Sequence, residues 1–197
     1  MAVRERTKII NDFLASMHIF SSAVDELMEE QLREELGGEV TISQLRLLKL
    51  VASTNVESIS EVAVFNRVTN AAASKAVDRL VRRGLLQRVE SKTDRRVNEL
   101  SLLPEAKSLL ERYEKVQQRV LDGLFRQFMP EDFINTADLL DRLSADIVEL
   151  ETAPPELCFR CGIYFREKCL LRDVVKRTCY YHLHKRKPRN KDNTVSD

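Results

Sequence analysis

All four cysteines of this 197-residue chain lie between Cys158 and Cys179. Their pattern is Cys-x2-Cys-x7-Cys-x9-Cys, with Cys161 and Cys169 as the inner members, and His182 follows two residues after the last. Thiolate sulfur and imidazole nitrogen are the ligands of structural zinc, and four thiolates hold iron–sulfur clusters. The close Cys-x2-Cys pair, in a chain without cysteine elsewhere, favours such a site over plain buried thiols.

Two ligand sets are compatible with this spacing, and they differ in one member. Cys158, Cys161, Cys179 and His182 form two short-spaced pairs at a separation typical of structural zinc. The other set replaces His182 by Cys169 and suits a 4Fe–4S cluster. Spacing and frequency of use favour zinc, whereas a Cys169 without another role favours the cluster, so both stay open. Nearby basic residues would offset the thiolate charge in either case: Arg160, Arg166, Lys168, Arg172, Lys176 and Arg177.

Residues 69–83 predict a helix with one polar face. Thr69 offers a hydroxyl that can cap the free N–H groups of the first turn, and Gly84 ends the helix because glycine tolerates a positive φ. Val77, Leu80 and Val81 form an apolar stripe at helical spacing. The polar and charged residues between them are left to solvent: Ser74, Lys75, Asp78, Arg79, Arg82 and Arg83.

Two strands around a charged turn are predicted after this helix. Residues 87–91 and 97–102 alternate polar and apolar side chains, and the turn at 92–96 reads Lys-Thr-Asp-Arg-Arg. Residues 69–96 carry eight basic and three acidic side chains, a net charge of +5, although the whole chain is only +1. Contacts to phosphates need such clustering. A helix beside a basic hairpin can enter the major groove while the hairpin follows the neighbouring backbone or minor groove, so a winged helix-turn-helix is predicted.

The segment VDRLVRRGLLQR at residues 77–88, followed by an Asp-Arg-Arg turn and a strand, resembles the core motif of the multiple-antibiotic-resistance regulator (MarR) family. The resemblance is specific over residues 74–102, and the order of helices agrees from about residue 5 to 152. It implies a homodimeric winged-helix repressor or activator. It also implies that the start of the recognition helix reads base edges, and that the wing approaches the minor groove with Asp94 holding an Arg in place. With the basic residues that could meet phosphates, the candidate DNA-binding residues are Asn70, Ala71, Ala72, Ser74, Lys75, Arg79, Arg82, Lys92, Asp94, Arg95 and Arg96.

Long amphipathic helices are predicted on both sides of this region. The first extends from Arg4 to Leu36, and two more, Pro104–Phe128 and Pro130–Glu151, have Pro in the first turn, where its missing N–H does no harm. Two shorter helices are predicted to start near residues 41–43 and 57–60. The side chains that these shorter helices turn inward are Leu45, Leu48, Val51, Val62 and Phe65.

The apolar stripes of the long terminal helices have no sheet to cover them, so we expect them to pair with a second copy of the chain. A dimer presents two recognition helices to half-sites about one helical turn apart, which predicts a pseudo-palindromic operator. The alternative is packing within one chain as a helix bundle.

Composition favours a mainly α fold, because Gly and Pro number only five each. Ala-Pro-Pro at 153–155 predicts a boundary between a winged-helix and dimerisation domain at 1–152, with its DNA-binding part at about 41–103, and a cysteine-rich extension with a basic tail at 153–197. Residues 156–197 carry a net charge of +6. No apolar run approaches the roughly 20 residues that cross a membrane, and the N-terminus lacks a signal-peptide pattern. We therefore expect a cytoplasmic protein with reduced thiols.

The sequence predicts a dimeric, sequence-specific DNA-binding regulator of transcription. Its signal would enter through the cysteine cluster, as metal or redox state, or through a pocket between the dimer helices and the winged domain. No Gly-rich phosphate loop, nucleophile elbow or HExxH helix is present, so no enzyme is expected. Two alternatives stay open: a protein-interaction module with a structural zinc knuckle, and a redox or iron–sulfur protein in which DNA binding is secondary.

Overall fold

The computed structural model of the chain describes residues 3–56, 58–90, 98–152 and 156–185. It is mainly helical with one two-stranded antiparallel sheet, which confirms the predicted fold class. In chain order the elements are α1 (Val3–Glu35), α2 (Ile42–Ser53), α3 (Ile59–Asn66), α4 (Asn70–Arg82), β1 (Leu86–Glu90), β2 (Asn98–Leu102), α5 (Pro104–Phe125), α6 (Pro130–Glu149), a 3-10 turn (Gly162–Tyr164), α7 (Leu170–Asp173) and α8 (Tyr180–His184).

The three short helices of the winged domain begin at side-chain caps. The hydroxyls of Thr41, Ser58 and Thr69 each accept a hydrogen bond from the backbone N–H three residues further on. The side chains of Gln44 and Glu61 in turn accept a hydrogen bond from the backbone N–H of the capping residue, which completes two capping boxes. These bonds satisfy N–H groups that a helix start leaves free, so the sequence fixes where α2, α3 and α4 begin.

Two residues with positive φ end the helices of the helix-turn-helix. Arg67 (φ 55°) closes α3, and the backbone N–H of Val68 donates to the Ala63 carbonyl at 3.0 Å. Gly84 (φ 69°) closes α4 as predicted, and here the N–H of Leu85 donates to the Leu80 carbonyl at 3.0 Å. The chain therefore turns sharply at both ends of α4.

The wing is an antiparallel hairpin whose base is buried. Leu86 pairs with Leu102 and Glu90 with Asn98, so the register is continuous over five pairs. Leu86, Leu100 and Leu102 belong to the main core. Residues 91–97, which include the predicted hairpin tip, lie outside the described part of the chain.

The core lies between α2, α4, the wing base and α5. Leu45, Leu48, Val51, Val62, Val77 and Leu80 are all fully buried, as predicted. Phe65 was predicted to be buried but is only half-buried, as is Val81 on the predicted apolar stripe of α4. Phe65 lies at the core's edge because its ring contacts the C-terminal part of the chain rather than the helices alone.

The long helices α1, α5 and α6 carry an apolar surface that nothing in the described structure covers. Helices α5 and α6 end at Phe125 and Glu149, a few residues earlier than predicted; Met129 is extended because the following Pro130 disfavours a helical conformation before it. No helix among the described residues is long and apolar enough to cross a membrane. The exposed apolar side chains of these helices and of the residues that flank them include Ile9, Ile10, Phe13, Leu14, Ile19, Phe20, Leu124, Phe128, Met129, Phe133, Ile134, Leu139, Leu143, Ile147 and Leu150.

Residues 156–185, which we call the cysteine segment, pack onto the winged domain. Tyr180 is 1% exposed and belongs to the main core, together with the partly buried Phe159 and Phe165. At the segment's end, the backbone N–H of Asn55 donates to the His184 carbonyl at 2.8 Å. The predicted boundary at 153–155 lies outside the described residues, but the segment after it shares the winged domain's core.

Candidate DNA-binding surface and cysteine cluster

Helix α4 presents one polar face to solvent and buries the other. Ala73, Val77 and Leu80 are almost completely buried. The remaining positions fall on the open side because helical periodicity places them between the buried ones. Of the predicted DNA-binding residues on α4, Asn70, Ala71, Ala72, Lys75, Arg79 and Arg82 are exposed, and Ser74 is half-buried.

Three cations on this face are available to an outside partner. Lys75, Arg79 and Arg82 make no ion pair with any residue in the described part of the chain. Arg83, one position further, is used within the fold instead: it donates to Gln44 Oε1 at 3.3 Å and to the Glu39 carbonyl. The +5 charge of residues 69–96 is therefore only partly available for phosphates.

A second internal ion pair joins α4 to the wing. Arg88 on β1 donates to Asp78 Oδ1 on α4 at 2.7 Å. No pairing of these two charges is predicted from the sequence, although their separation by ten residues across a glycine-ended helix is a signal for it. The pair ties the base of the wing to the recognition helix. The predicted wing-tip residues Lys92, Asp94, Arg95 and Arg96 lie outside the described residues.

The backbone brings the first and last cysteines side by side. Cys158 and Cys179 form a parallel bridge in which the N–H of Cys158 donates to the Thr178 carbonyl at 2.8 Å. The N–H of Tyr180 returns a bond to the Cys158 carbonyl at 3.2 Å. Cys161 follows one turn later and begins the 3-10 turn. Two segments that are distant in sequence are therefore held together without a bond between their side chains.

Cys169 joins them through a small apolar cluster at the end of α6. Cys158 and Cys169 both pack against Ala145, Val148 and Leu171. All four thiols are partly buried and free. The structure therefore brings together all four predicted cysteines at one end of the cysteine segment.

The pKa values of the thiols report the same proximity. Burial raises the pKa of Cys161, and the charges of Cys179, Cys158 and Cys169 raise it further; a backbone hydrogen bond from Arg166 opposes them. Burial also raises the pKa of Cys158, again opposed by a backbone hydrogen bond, here from Arg160. The backbone N–H groups that are directed at these two sulfurs therefore belong to Arg160 and Arg166.

Two arginine side chains lie near the thiols, and each has one buried N–H group that forms no hydrogen bond with the described residues. Arg177 donates to the Val148 carbonyl at 2.8 Å and to Glu151 at 3.0 Å, and Arg172 donates to Asp173 at 2.7 Å. Yet the buried Nε of Arg177 and the buried Nη1 of Arg172 have no hydrogen-bond acceptor among the described residues. Arg177 is one of the charges that lower the pKa of Cys158, after burial and the backbone bond have acted. Sequence reasoning had named both arginines only as general charge compensation.

His182, the predicted alternative ligand, contacts the backbone of Glu167. Its Nε2 lies 3.3 Å from the carbonyl oxygen of Glu167, a residue that is also paired with Lys185. Within the described residues, no three His, Cys, Asp or Glu side chains are placed to ligate a single metal ion.

A cavity of about 900 Å³ lies between the long helices, the winged domain and the cysteine segment. Phe20 and Leu121 line it from α1 and α5, Ala76 from α4, and Cys161 and Tyr164 from the cysteine segment. The predicted pocket is therefore present, and one of the four thiols lies in its wall.

Residues 40–97 of the chain match the model of the MarR family. The fold resembles YusO from Bacillus subtilis (23% identity, TM-score 0.51, covering 70% of this chain and 96% of that one). It also resembles FabT from Streptococcus pneumoniae, solved in complex with DNA (20%, 0.57, 74% and 99%), and RV1404 from Mycobacterium tuberculosis (18%, 0.57, 75% and 97%). No curated protein matches the sequence. The chain thus has the winged-helix fold of these structures, and its residues 40–97 are similar in sequence to the MarR family.

Proposed function

We propose that the protein is a transcription regulator that binds double-stranded DNA as a homodimer. The observation that carries this proposal is the open face of α4, where Lys75, Arg79 and Arg82 make no ion pair with the described part of the chain and lie opposite a buried apolar stripe. The similarity of residues 40–97 to the MarR family, and a related fold solved with DNA, agree with it.

In this proposal α4 enters the major groove with its N-terminal turn first. Asn70, Ala71, Ala72, Ser74 and Lys75 then meet base edges, where amide and ammonium groups donate to purines and small side chains contact thymine methyls. Arg79 and Arg82, further along the same face, meet phosphates. The wing tip, with Lys92, Asp94, Arg95 and Arg96, follows the adjacent minor groove.

The second copy of the chain is proposed to cover the exposed apolar surface of α1 and α6. Ile9 on α1 is 54% exposed and Ile134 on α6 is 58% exposed, and both helices expose further large apolar side chains. A patch of this extent is unusual on a monomer and marks an interface. The resulting two-fold dimer requires half-sites about one helical turn apart, so its operator should be pseudo-palindromic. The proposed location of the protein is the cytoplasm.

The cysteine segment is proposed to carry the signal, as the metal or redox state of its thiols. It contacts the end of α6 through Leu171 and Arg177, and it contacts the winged domain through Phe159 and the Asn55–His184 bond. A change in the segment can therefore move α4 relative to the dimer helices. A ligand shifts that equilibrium only as far as its affinity differs between the two states.

The test of DNA binding uses the full chain and a duplex selected from a random-sequence pool. We expect selection of a pseudo-palindrome and a steep fall of affinity with salt, because each neutralised phosphate releases counterions. Arg79→Ala should weaken binding to selected and unselected duplexes alike and reduce the salt slope by about one. Lys115→Ala, on an exposed position of α5, is the matched control and should change neither.

Two results would overturn the proposal. One is a chain with no affinity for any duplex at low ionic strength. The other is an equal loss of affinity in Lys75→Ala, Arg79→Ala and Lys115→Ala, since that would indicate a nonspecific charge effect rather than a recognition helix.

A further inference from the structure

We propose that Cys158, Cys161, Cys169 and Cys179 ligate one iron–sulfur cluster, with Arg172 and Arg177 donating hydrogen bonds to its sulfur atoms. His182 is not a ligand. This inference rests on the proposed function only for what the cluster regulates; the site itself stands on its own geometry.

The first step is the convergence of four thiols from three separate stretches of chain. The bridge between Cys158 and Cys179 fixes two of them, and the turn into Gly162–Tyr164 returns Cys161 towards the same place. Cys169 lies on the apolar floor of Ala145, Val148 and Leu171 that Cys158 also touches. A segment of thirty residues with little core of its own has no structural need for this arrangement, whereas a shared ligand explains it.

The second step concerns the fourth ligand. The Nε2 of His182 lies 3.3 Å from the carbonyl oxygen of Glu167, so this ring nitrogen already has a partner within the protein. Cys169, by contrast, contacts the same apolar cluster as Cys158. The donor set is therefore four thiolates, which soft metal ions and iron–sulfur clusters prefer.

The third step separates a cluster from a single ion. Zinc–sulfur bonds of about 2.3 Å would bring all four sulfurs within about 4 Å of one another. The described side chains include all four cysteines, and no three of them are placed around one ion. An iron–sulfur core spreads its thiolates over several irons, so four thiolates can hold it without converging on a single ion.

The fourth step is the pair of unused donors. Arg172 Nη1 and Arg177 Nε are buried and lack an acceptor among the described residues. Leaving a buried, charged donor unpaired is costly, so an acceptor belongs in this place. Thiolate and sulfide sulfurs of a cluster would accept these bonds, and two guanidinium charges would offset the negative charge of four thiolates. Such hydrogen bonds are also among the factors that set the potential of a cluster.

The test begins with the full chain purified without oxygen. We expect broad visible absorption with about four irons and four acid-labile sulfides per chain, as in a cluster held by four cysteines. If iron is low as isolated, loading with ferrous iron and sulfide without oxygen should produce the same spectrum. A colourless protein that contains one zinc per chain, and that takes up no iron or sulfide, would overturn the proposal.

Variants test the ligand set and the arginines separately. Cys169→Ser should lose at least nine-tenths of the iron, and His182→Ala should keep it; the reverse result would overturn the assignment of the fourth ligand. Arg172→Met and Arg177→Met should keep iron but shift the reduction potential or speed cluster loss in air, whereas Arg33→Met, at an exposed position of α1, should not. Circular dichroism identifies variants that fail to fold, and the iron and sulfide content of the unaltered chain decides the proposal independently of them.

Failure of this inference and failure of the proposed function are distinguishable. A zinc protein that binds a pseudo-palindromic duplex would refute the cluster and leave DNA binding intact. An iron–sulfur protein without affinity for DNA would do the opposite.

Discussion

The ring of Phe159 meets the ring of Phe65 edge-on, with their centroids 6.0 Å apart and their planes at 67°. Phe159 belongs to the cysteine segment and Phe65 to the last turn of α3, the first helix of the helix-turn-helix. The other side of Phe159 stacks on Tyr180 at 4.5 Å. This contact is a direct side-chain link between the cysteine segment and α3, the helix that precedes α4.

The first prediction measures that link by a double-mutant cycle. Phe65→Leu and Phe159→Leu should each destabilise the protein, and together by about 1 kcal/mol less than their sum, because an aromatic pair adds this much beyond its buried area. Urea unfolding gives the three values. The control cycle pairs Phe65→Leu with Phe128→Leu, whose ring belongs to a different aromatic cluster, and should show no interaction. Equal coupling in both cycles would mean that the Phe65–Phe159 contact transmits nothing specific.

The second prediction concerns the uncovered surface of the long helices. Ile9→Glu and Ile134→Glu should convert a dimer into a monomer, because burying an unpaired carboxylate at an interface costs several kcal/mol. Both variants should keep the helical circular dichroism of the parent, since glutamate is a good helix former. Sedimentation equilibrium measures the change in mass. Val64→Glu, at a 53% exposed position on α3, adds the same charge outside this surface and should remain dimeric.

Much of the winged domain could be predicted because its signals are local. Thr69 as a cap, Gly84 as a stop and the stripe of Val77 and Leu80 depend only on neighbouring residues, and the structure has all of them in place. The left-handed conformation of Arg67 was not predictable, because an arginine carries no sequence signal for a positive φ. Helix ends near Pro130 were misjudged by a few residues for a similar reason: the apolar pattern continues past them.

The cysteine segment could be recognised but not placed. Its spacing predicts a shared ligand, and the structure brings the four thiols close together. Nothing local in the sequence indicated that Phe159 and Tyr180 would join the core of the winged domain, or that Arg177 would reach the Val148 carbonyl. These are contacts between distant parts of the chain, and they depend on tertiary packing rather than on periodicity.

The third prediction tests the start of the recognition helix. Thr69 Oγ1 accepts from the Ala72 N–H at 3.2 Å, so Thr69→Ala should cost about 1 kcal/mol of stability. It should also weaken operator binding, because the first turn of α4 is the part proposed to meet the bases. Thr69→Ser keeps the hydroxyl and is the matched control for both measurements. If the Thr69→Ala and Thr69→Ser variants bound the operator equally well, the position of this first turn would not matter for recognition.

The fourth prediction follows from Tyr113, which is 1% exposed in the core of α5. Burial raises its pKa to about 12, with a smaller contribution from Tyr164, and Arg46 acts in the opposite direction. In the unfolded chain the phenol has a pKa of about 10, so between about pH 10 and 12 the unfolded state loses a proton that the folded state retains. The free energy of unfolding therefore contains a contribution that is complete below pH 10 and falls by up to about 1.4 kcal/mol per pH unit above it.

Tyr113→Phe removes the phenol but keeps a ring beneath the Lys49 ammonium, which lies 5.3 Å from the ring centroid. Urea unfolding at pH 9 and pH 11 should show a smaller alkaline loss of stability in Tyr113→Phe than in the parent. Parallel losses in the two proteins would mean that Tyr113 ionises in the folded state as readily as it does in the unfolded chain.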